Sequence, residues 1–299
     1  MNKKTIGNEP IYDARTLGAP RMLVLGFQHM FAMFGATVLV PTLTGLSVST
    51  TLLFAGLGTL LFHLLAKGKV PAFLGSSFAF LGGYAAIAPM LENPNSPGVF
   101  NVPNTELLPY ACFGVACAGL VYLVLSLLFK VFGVRKVMRF FPPIVTGPII
   151  IAIGLSLSSS AVNNCATSWP VALVAILVVI VCNIWGKGMI KIIPILLGVI
   201  ASYLVGAVSG QVDFTAVREA AWIGLPVTWS ETVFGLFGSG NVDTAMLATA
   251  AITIIPISLA TMVEHIGDMC AISSTCGRNY IQEPGLHRTL LGDGLATSL

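Results

Sequence analysis

Long apolar stretches separated by short polar segments run through most of this chain. Each is close to the roughly 17–25 residues that an α-helix needs to cross a bilayer, so the pattern predicts eight complete membrane spans. These spans are Met22–Leu43, Thr50–Ala66, Val70–Met90, Leu107–Phe129, Phe141–Ala161, Val171–Trp185, Ile192–Val208 and Ala245–Ile272. A ninth apolar stretch begins near Thr289, and the sequence stops at Leu299. We therefore expect a fragment or a truncated open reading frame.

Basic residues lie at alternate ends of these stretches. If the N-terminus is cytoplasmic, 14 of the 15 Lys and Arg residues fall on the cytoplasmic side. They are Lys3, Lys4, Arg15, Arg21, Lys67, Lys69, Lys130, Arg135, Lys136, Arg139, Lys187, Lys191, Arg278 and Arg288. Arg218 lies in the longest outer loop, Ser209–Asp243, and the other long outer loop is Glu92–Glu106. This bias predicts an N-in orientation.

Composition excludes a water-soluble protein. The 299 residues are 56% hydrophobic and 9% charged, and the mean hydropathy is +0.90, whereas a soluble domain carries about 25% charged residues. The polar segment 1–20 lacks the apolar core of a signal peptide and is interpreted as a cytoplasmic tail. The six cysteines are scattered and are interpreted as packing residues. We predict an all-α polytopic protein that does not bind nucleic acid.

The sequence lacks the short motifs that are typical of nucleotide binding, nucleophilic catalysis and zinc binding. It contains no phosphate-binding GxxxxGK[ST] loop, so we expect transport energy to come from an ion gradient or from a separate subunit. No Ser/His/Asp or zinc-ligand arrangement stands out either. We therefore predict no enzyme activity, no catalytic or metal site, and no cofactor.

The third span is unusual because Pro71–Gly83 holds one proline, three glycines and two adjacent serines. Glycine and serine favour helix breaks, and Ser77–Leu81 is expected to be extended. Non-helical backbone at membrane depth is tolerated where it is buried in protein or lines a cavity, and broken spans present backbone groups to substrates. A seam of small residues for close helix packing explains the same composition. This segment alone leaves both interpretations open.

An acidic cluster, Glu264, His265 and Asp268, follows an uncharged stretch. A carboxylate at the bilayer centre costs about 2.5–3.5 kcal/mol on insertion scales, so it indicates a function or a partner. Glu264 and Asp268 are four residues apart and share a helix face. The Glu264 carboxylate can accept two parallel N–H bonds, as a lactam or imide would offer. Alternatively, it pairs structurally with His265 or with a distant basic group.

His265 points roughly 100° away from Glu264 around the helix and is expected to support neighbouring helices. In the first span, Gln28 and His29 are either a polar pair that supports a substrate site or an interhelical hydrogen bond. Ala36 belongs to a notch of small residues that admits either a ligand or a packed helix.

Four sequence blocks carry a family resemblance: Gln28–Pro41, Lys67–Phe80, Glu264–Asp268 and Pro284–Arg288. In these blocks the chain resembles the nucleobase–cation symporter family known as the uracil/xanthine permeases. The resemblance implies fourteen spans in two inverted seven-span repeats. It also implies strands in the third and tenth spans that meet at the substrate, and the third-span strand here is Ser76–Phe80.

The same resemblance implies a core domain and a gate domain. It assigns 21–130 to core spans 1–4, 131–208 to gate spans 5–7, and 209–244 to an extracytoplasmic loop. Residues 245–299 are core span 8 and the start of span 9. Members of the family often form dimers, so a homodimer is an expected assembly.

Residue roles follow from the resemblance alone. Glu264 is similar to the carboxylate that hydrogen-bonds the nucleobase, Phe78 to a residue whose backbone and ring contact it, and Ala36 to a lining residue. Asp268 occupies the position of a proton-coupling side chain, where uracil carriers often have histidine and purine carriers aspartate. Supporting polar positions are Gln28, His29, Ser77 and His265.

We therefore expect proton-coupled uptake of uracil across the cytoplasmic membrane by a multi-pass protein in contact with lipid. A xanthine or other purine permease of the same family is the alternative. A truncated, non-transporting fragment that assists a full-length paralogue is another. An anion carrier of related fold fits less well, because Glu264 and Asp268 place acids where such carriers favour positive charge.

Overall fold

The structure is a computed structural model. It describes residues 11–94, 96–140, 142–156, 158–187, 189–192, 194–212, 214–219, 224–238 and 242–299. Within these ranges the side chains of some helix and strand residues, Gln28 and Ala36 among them, are not described.

The first half of the chain contains seven helices and one hairpin in the part that the structure describes. The helices are α1 (Ala19–Ala32), α2 (Phe34–Thr44), α3 (Val48–Leu65), α4 (Leu81–Ile87), α5 (Leu108–Phe132), α6 (Val134–Val137) and α7 (Pro143–Ser156). The hairpin strands are β1 (Leu91–Asn93) and β2 (Ser96–Val102). Short 3-10 turns cover Ala14–Leu17, Phe78–Phe80 and Met138–Phe140.

The second half is helical wherever it is regular and described. Its helices are α8 (Ser158–Thr167), α9 (Trp169–Trp185), α10 (Met189–Ile192), α11 (Pro194–Val208), α12 (Thr215–Glu219), α13 (Phe234–Gly238), α14 (Thr244–Ile254), α15 (Ile257–Cys276) and α16 (Leu286–Ser298). A 3-10 turn covers Trp229–Glu231, and an irregular turn covers Ile281–Gly285.

Among the described residues, three helices are long and apolar enough to cross a membrane: Val48–Leu65, Leu108–Phe132 and the α14–α15 run Thr244–Cys276. They match the predicted second, fourth and eighth spans. A fourth candidate is a helix pair, Ala161–Thr167 and Trp169–Trp185, bent by 120°. The other predicted spans contain shorter helices, and the third also contains the irregular segment 71–77. The total of eight spans stays a prediction.

The hairpin is a small β element that was not predicted for this largely helical chain. The two strands pair antiparallel in the predicted outer loop, with Leu91 opposite Val102 and Glu92 opposite Phe100. Asn93 Nδ2 donates to Asn101 Oδ1 at 3.0 Å. A loop between two helices must still satisfy its backbone polar groups, and pairing two short extended segments does so. Overall hydropathy carries no signal for such a small element.

The described chain divides into two compact units. The first is Met1–Gly35 with Gly154–Leu225, and the second is Ala36–Ile153 with Pro226–Leu299. In the first unit α9 packs against α11, where Gly198 approaches Val179 closely enough that a Cβ would lie 2.7 Å from its methyl group. This division does not test the predicted core and gate domains, which stay a prediction.

The second unit has two apolar clusters along α5. One cluster includes Phe80, Tyr84, Leu108, Ala118 and Ile254. The other packs residues from α3, α5, α15 and α16, and its members include Phe62, Tyr122, Phe129, Ile266, Leu286 and Leu290. Because Ala118 and Tyr122 are one helical turn apart, the two clusters meet at the level of Tyr122.

Candidate functional site

The acidic cluster lies on a continuous helix, α15, as the sequence predicts. Glu264 is partly buried, His265 is buried and Asp268 is exposed on the described chain. Glu264 and Asp268 therefore share a helix face that neighbouring described residues cover only in part, while His265 points into the packed interior. The inward residue of the cluster is the histidine rather than either acid.

His265 is paired with an acid from another helix. Its Nδ1 lies 2.8 Å from Oδ2 of Asp293 on α16, and the side chains are 5% and 18% exposed. The sequence predicts His265 as a supporting residue but does not single out Asp293. The sequence does contain a signal for Asp293, which is a lone acid in the apolar stretch that begins near Thr289. Placing its carboxylate within a membrane costs free energy, as it does for Glu264.

The position of Asp293 follows from its two neighbours. A Cβ on Gly292 would lie 2.9 Å from the Phe62 ring on α3, and one on Gly294 would lie 2.4 Å from Cβ of Tyr122 on α5. Successive helical residues are rotated by about 100°, so these glycines face in two directions and Asp293 faces between them. That third direction leads to His265 on α15.

Other polar groups lie beside this pair. Tyr122 on α5 is buried and lies near Asp293, Glu264 and Thr261. Thr261 Oγ1 donates to the Ser258 carbonyl at 3.1 Å. His265 Nε2 is buried and has no hydrogen-bond partner among the described residues. Buried polar atoms are normally paired, and Nε2 is an exception among the described side chains.

Of the two interpretations of the third span, the structure supports a helix break, since residues 71–77 form neither helix nor strand. Leu74 N–H donates to Thr59 Oγ1 on α3 at 3.1 Å, and the same hydroxyl lies 3.1 Å from the Leu74 carbonyl oxygen. At Gly75 a Cβ would lie 3.0 Å from Thr37 Oγ1 on α2. The non-helical backbone is thus held between helices rather than left unpaired.

The structure has no strand over Ser76–Phe80, so that prediction is wrong: Ser76 and Ser77 belong to the irregular segment 71–77, and Phe78–Phe80 form a 3-10 turn. Ser77 is extended, and its Oγ accepts the Ala79 N–H at 3.3 Å. A serine in this position caps a helical turn, and the turn leads directly into α4. The turn packs against α15, so the structure brings the Phe78 segment to the helix of Glu264.

Comparison with known proteins decides the family. The model of the xanthine/uracil permeases, described as "Permease family", matches residues 20–299. This chain belongs to the xanthine/uracil permease family. Among its curated relatives, it is 39% identical to the uracil permease of Bacillus caldolyticus, with 100% of this chain and 65% of that protein covered.

Two further relatives agree with this family assignment. The uracil permease of Bacillus subtilis (strain 168) is 37% identical, and the probable uracil permease of Haemophilus influenzae (strain ATCC 51907 / DSM 11121 / KW20 / Rd) is 40% identical. The alignments cover 91% and 92% of this chain, but 60% and 62% of the relatives. The chain thus spans about three fifths of the length of the relatives it matches.

Membership of the xanthine/uracil permease family makes the chain part of a membrane transporter family rather than an enzyme family. Five predicted site residues of this chain fall in the second unit with described side chains: Glu264, His265, Asp268, Phe78 and Ser77. His29 is exposed and belongs to the first unit. The Gln28 and Ala36 side chains lie outside the described residues, and the roles of all these residues stay predictions.

Proposed function

We propose that this permease chain takes part in proton-coupled uptake of uracil, with Glu264 as the carboxylate that binds the base. The observation that carries the proposal is the packing of the Phe78–Phe80 turn against α15, the helix of Glu264. Relatives of 37–40% identity that are named uracil permease, or probable uracil permease, support uracil as the substrate.

Uracil presents N–H groups and carbonyl oxygens along the edge of a flat ring. The Glu264 carboxylate has two acceptor oxygens and can take N–H bonds from that edge, and charge-assisted bonds of this kind are strong. Partial burial of Glu264 limits competition from water. In this proposal the Phe78 backbone and ring contact the base, and Ala36 completes the lining.

Proton coupling is assigned to Glu264 and Asp268. The two carboxylates are one helical turn apart, and like charges at this spacing repel each other. A proton on either acid removes that repulsion, so proton binding and base binding at Glu264 are linked. Asp268 is exposed on the described chain and can exchange protons there. The proton enters from outside with uracil and leaves on the cytoplasmic side.

The setting of this site is also proposed. The protein spans the cytoplasmic membrane with its N-terminus inside, in a fourteen-span inverted-repeat fold with core and gate domains. It forms a homodimer surrounded by lipid. The distribution of basic residues along the sequence supports the orientation.

The test is uptake of labelled uracil by cells that lack their own uracil transport and express the complete gene containing this sequence. We expect Glu264→Gln to abolish uptake at unchanged protein levels, because the amide offers one acceptor oxygen and no charge. The matched control is Glu106→Gln, which removes an exposed outer-loop carboxylate and should leave uptake unchanged.

Substrate and coupling are tested in the same cells. Unlabelled uracil should compete fully and xanthine weakly, and a proton uncoupler should stop accumulation. Normal proton-driven uptake by Glu264→Gln would contradict the assignment of the binding carboxylate, and stronger competition by xanthine than by uracil would contradict the substrate.

A further inference from the structure

The pair between His265 and Asp293 has no part in the mechanism proposed above. We propose that Asp293 is a positioning residue that acts through His265: it fixes the rotation of α15 and thereby the direction in which Glu264 presents its carboxylate. This inference rests on the proposed role of Glu264 in binding the base.

Asp293 is suited to this role because α16 is held on two sides. Gly292 and Gly294 let α16 approach Phe62 on α3 and Tyr122 on α5 so closely that either Cβ would collide. Ser298 Oγ, one turn after Gly294, lies 3.0 Å from the Ala116 carbonyl oxygen of α5 and 3.0 Å from the Gly294 carbonyl oxygen of its own helix. A helix fixed in this way cannot turn about its axis without clashes, so the Asp293 carboxylate has a set position.

The N-terminal end of α16 is also hydrogen-bonded to its neighbours. Ser126 Oγ on α5 donates to the His287 carbonyl, and Arg288 donates to the Leu65 carbonyl at the end of α3 at 3.4 Å. The contacts at Arg288 and Ser298 lie about 15 Å apart along the helix. They bracket Asp293, so tilt as well as rotation of α16 is restricted around it.

His265 transmits this position to α15. Its Nδ1 lies 2.8 Å from the Asp293 oxygen, and the imidazole is only 5% exposed. Glu264 precedes His265 and projects about 100° away around the same helix. A rotation of α15 that moved Glu264 would therefore pull Nδ1 from its partner and leave the buried imidazole and a partly buried carboxylate without their hydrogen bond, which is costly.

The two faces of α15 have different surroundings. The His265 face is anchored to α16, and the face with Glu264 and Asp268 stays only partly covered. Binding sites need side chains that are held in place by a supporting layer of contacts. Asp293 and His265 supply that layer while touching neither the base nor the exchanged proton.

Two substitutions of His265 test the geometry at constant charge. Asparagine places its amide nitrogen near the position of Nδ1, whereas glutamine reaches the position of Nε2. We expect His265→Asn to keep the KM for uracil within about twofold of wild type and His265→Gln to raise it about tenfold, the factor expected for loss of one charge-assisted hydrogen bond. Vmax should change little in either variant.

Substitutions of Asp293 test the same hydrogen bond independently, through its acceptor. Asp293→Asn keeps an oxygen that accepts from Nδ1–H and should stay near wild type, and Asp293→Ala should match the rise in KM of His265→Gln. In the double variant His265→Gln, Asp293→Ala the two effects should not add, because one interaction is lost. All variants are compared at equal amounts of protein in the membrane. If His265→Gln does not accumulate there, the two Asp293 variants decide.

Several results would overturn the inference. Equal KM values for His265→Asn and His265→Gln would show that the bond at Nδ1 does not matter for binding. A loss of Vmax in Asp293→Asn at unchanged KM would make Asp293 a proton carrier instead. Either result leaves the proposed function standing. Failure of the wild-type protein to take up uracil is the separate outcome that removes the proposed function.

Discussion

The Thr59 side chain serves both backbone polar groups of Leu74. Its Oγ1 accepts the Leu74 N–H at 3.1 Å and lies at the same distance from the Leu74 carbonyl oxygen. It also lies 2.8 Å from the Ala55 carbonyl of its own helix, so its single hydrogen has two acceptors within reach. One threonine on α3 thus ties the non-helical segment 71–77 to a regular helix.

Replacing Thr59 with valine should destabilise this segment. Valine has the same shape but no hydroxyl, so the Leu74 N–H loses its partner at a cost of about 1–3 kcal/mol. We expect a lower midpoint of thermal unfolding in detergent and reduced uracil uptake. Thr59→Ser keeps the hydroxyl and is the matched control. An unchanged midpoint and unchanged uptake in Thr59→Val would show that the segment is held by other contacts.

Replacing Gly294 with alanine should separate α16 from α5. The new Cβ would lie 2.4 Å from Cβ of Tyr122 and 2.7 Å from the Gly119 carbonyl oxygen. Overpacking of this kind costs about 1–3 kcal/mol. The midpoint of thermal unfolding should therefore fall, and the KM for uracil should rise because Asp293 moves with α16.

The control for this change is Gly56→Ala on α3, where a Cβ would meet nothing within 4 Å. Alanine is the better helix former by about 1 kcal/mol, so Gly56→Ala should match or slightly exceed wild type in stability. If both alanine variants behave alike, close approach at Gly294 is not what limits the packing.

The ion pair between Lys69 and Glu283 should make stability depend on pH. Lys69 donates a hydrogen bond to Glu283, and this bond together with the lysine charge lowers the pKa of Glu283. A lowered folded-state pKa gives stabilisation that is present above the ordinary pKa of glutamate and is lost as the pH falls through the lowered value. Both side chains are exposed, so added salt should weaken the effect.

Glu283→Gln should therefore unfold at a lower temperature than wild type at pH 7 in low salt. The two proteins should converge in acid, below the lowered pKa, and also in high salt at pH 7. Lys69→Gln should reproduce the pattern because it removes the other half of the pair. A difference that persists in acid would mean that Glu283 acts through its shape rather than its charge.

Parts of the site could be predicted from local sequence. Glu264, His265 and Asp268 are close in sequence, so helical geometry alone relates them, and α15 has the expected form. The break before Phe78 could be predicted from glycine, proline and serine content. The strand predicted over Ser76–Phe80 was wrong, because local capping by Ser77 starts a helical turn, which composition does not distinguish from extended backbone.

By itself the sequence determined the membrane character of the chain, its apolar periodicity, the break in the third span and the face shared by Glu264 and Asp268, because these depend on neighbours a few residues apart. Only the tertiary structure decided that His265 meets Asp293 and that Thr59 holds Leu74. Residues 265 and 293 are brought together by the packing of α16 through Gly292 and Gly294 against α3 and α5. Such contacts depend on which helix faces fit closely, and a hydropathy pattern carries no information about that fit.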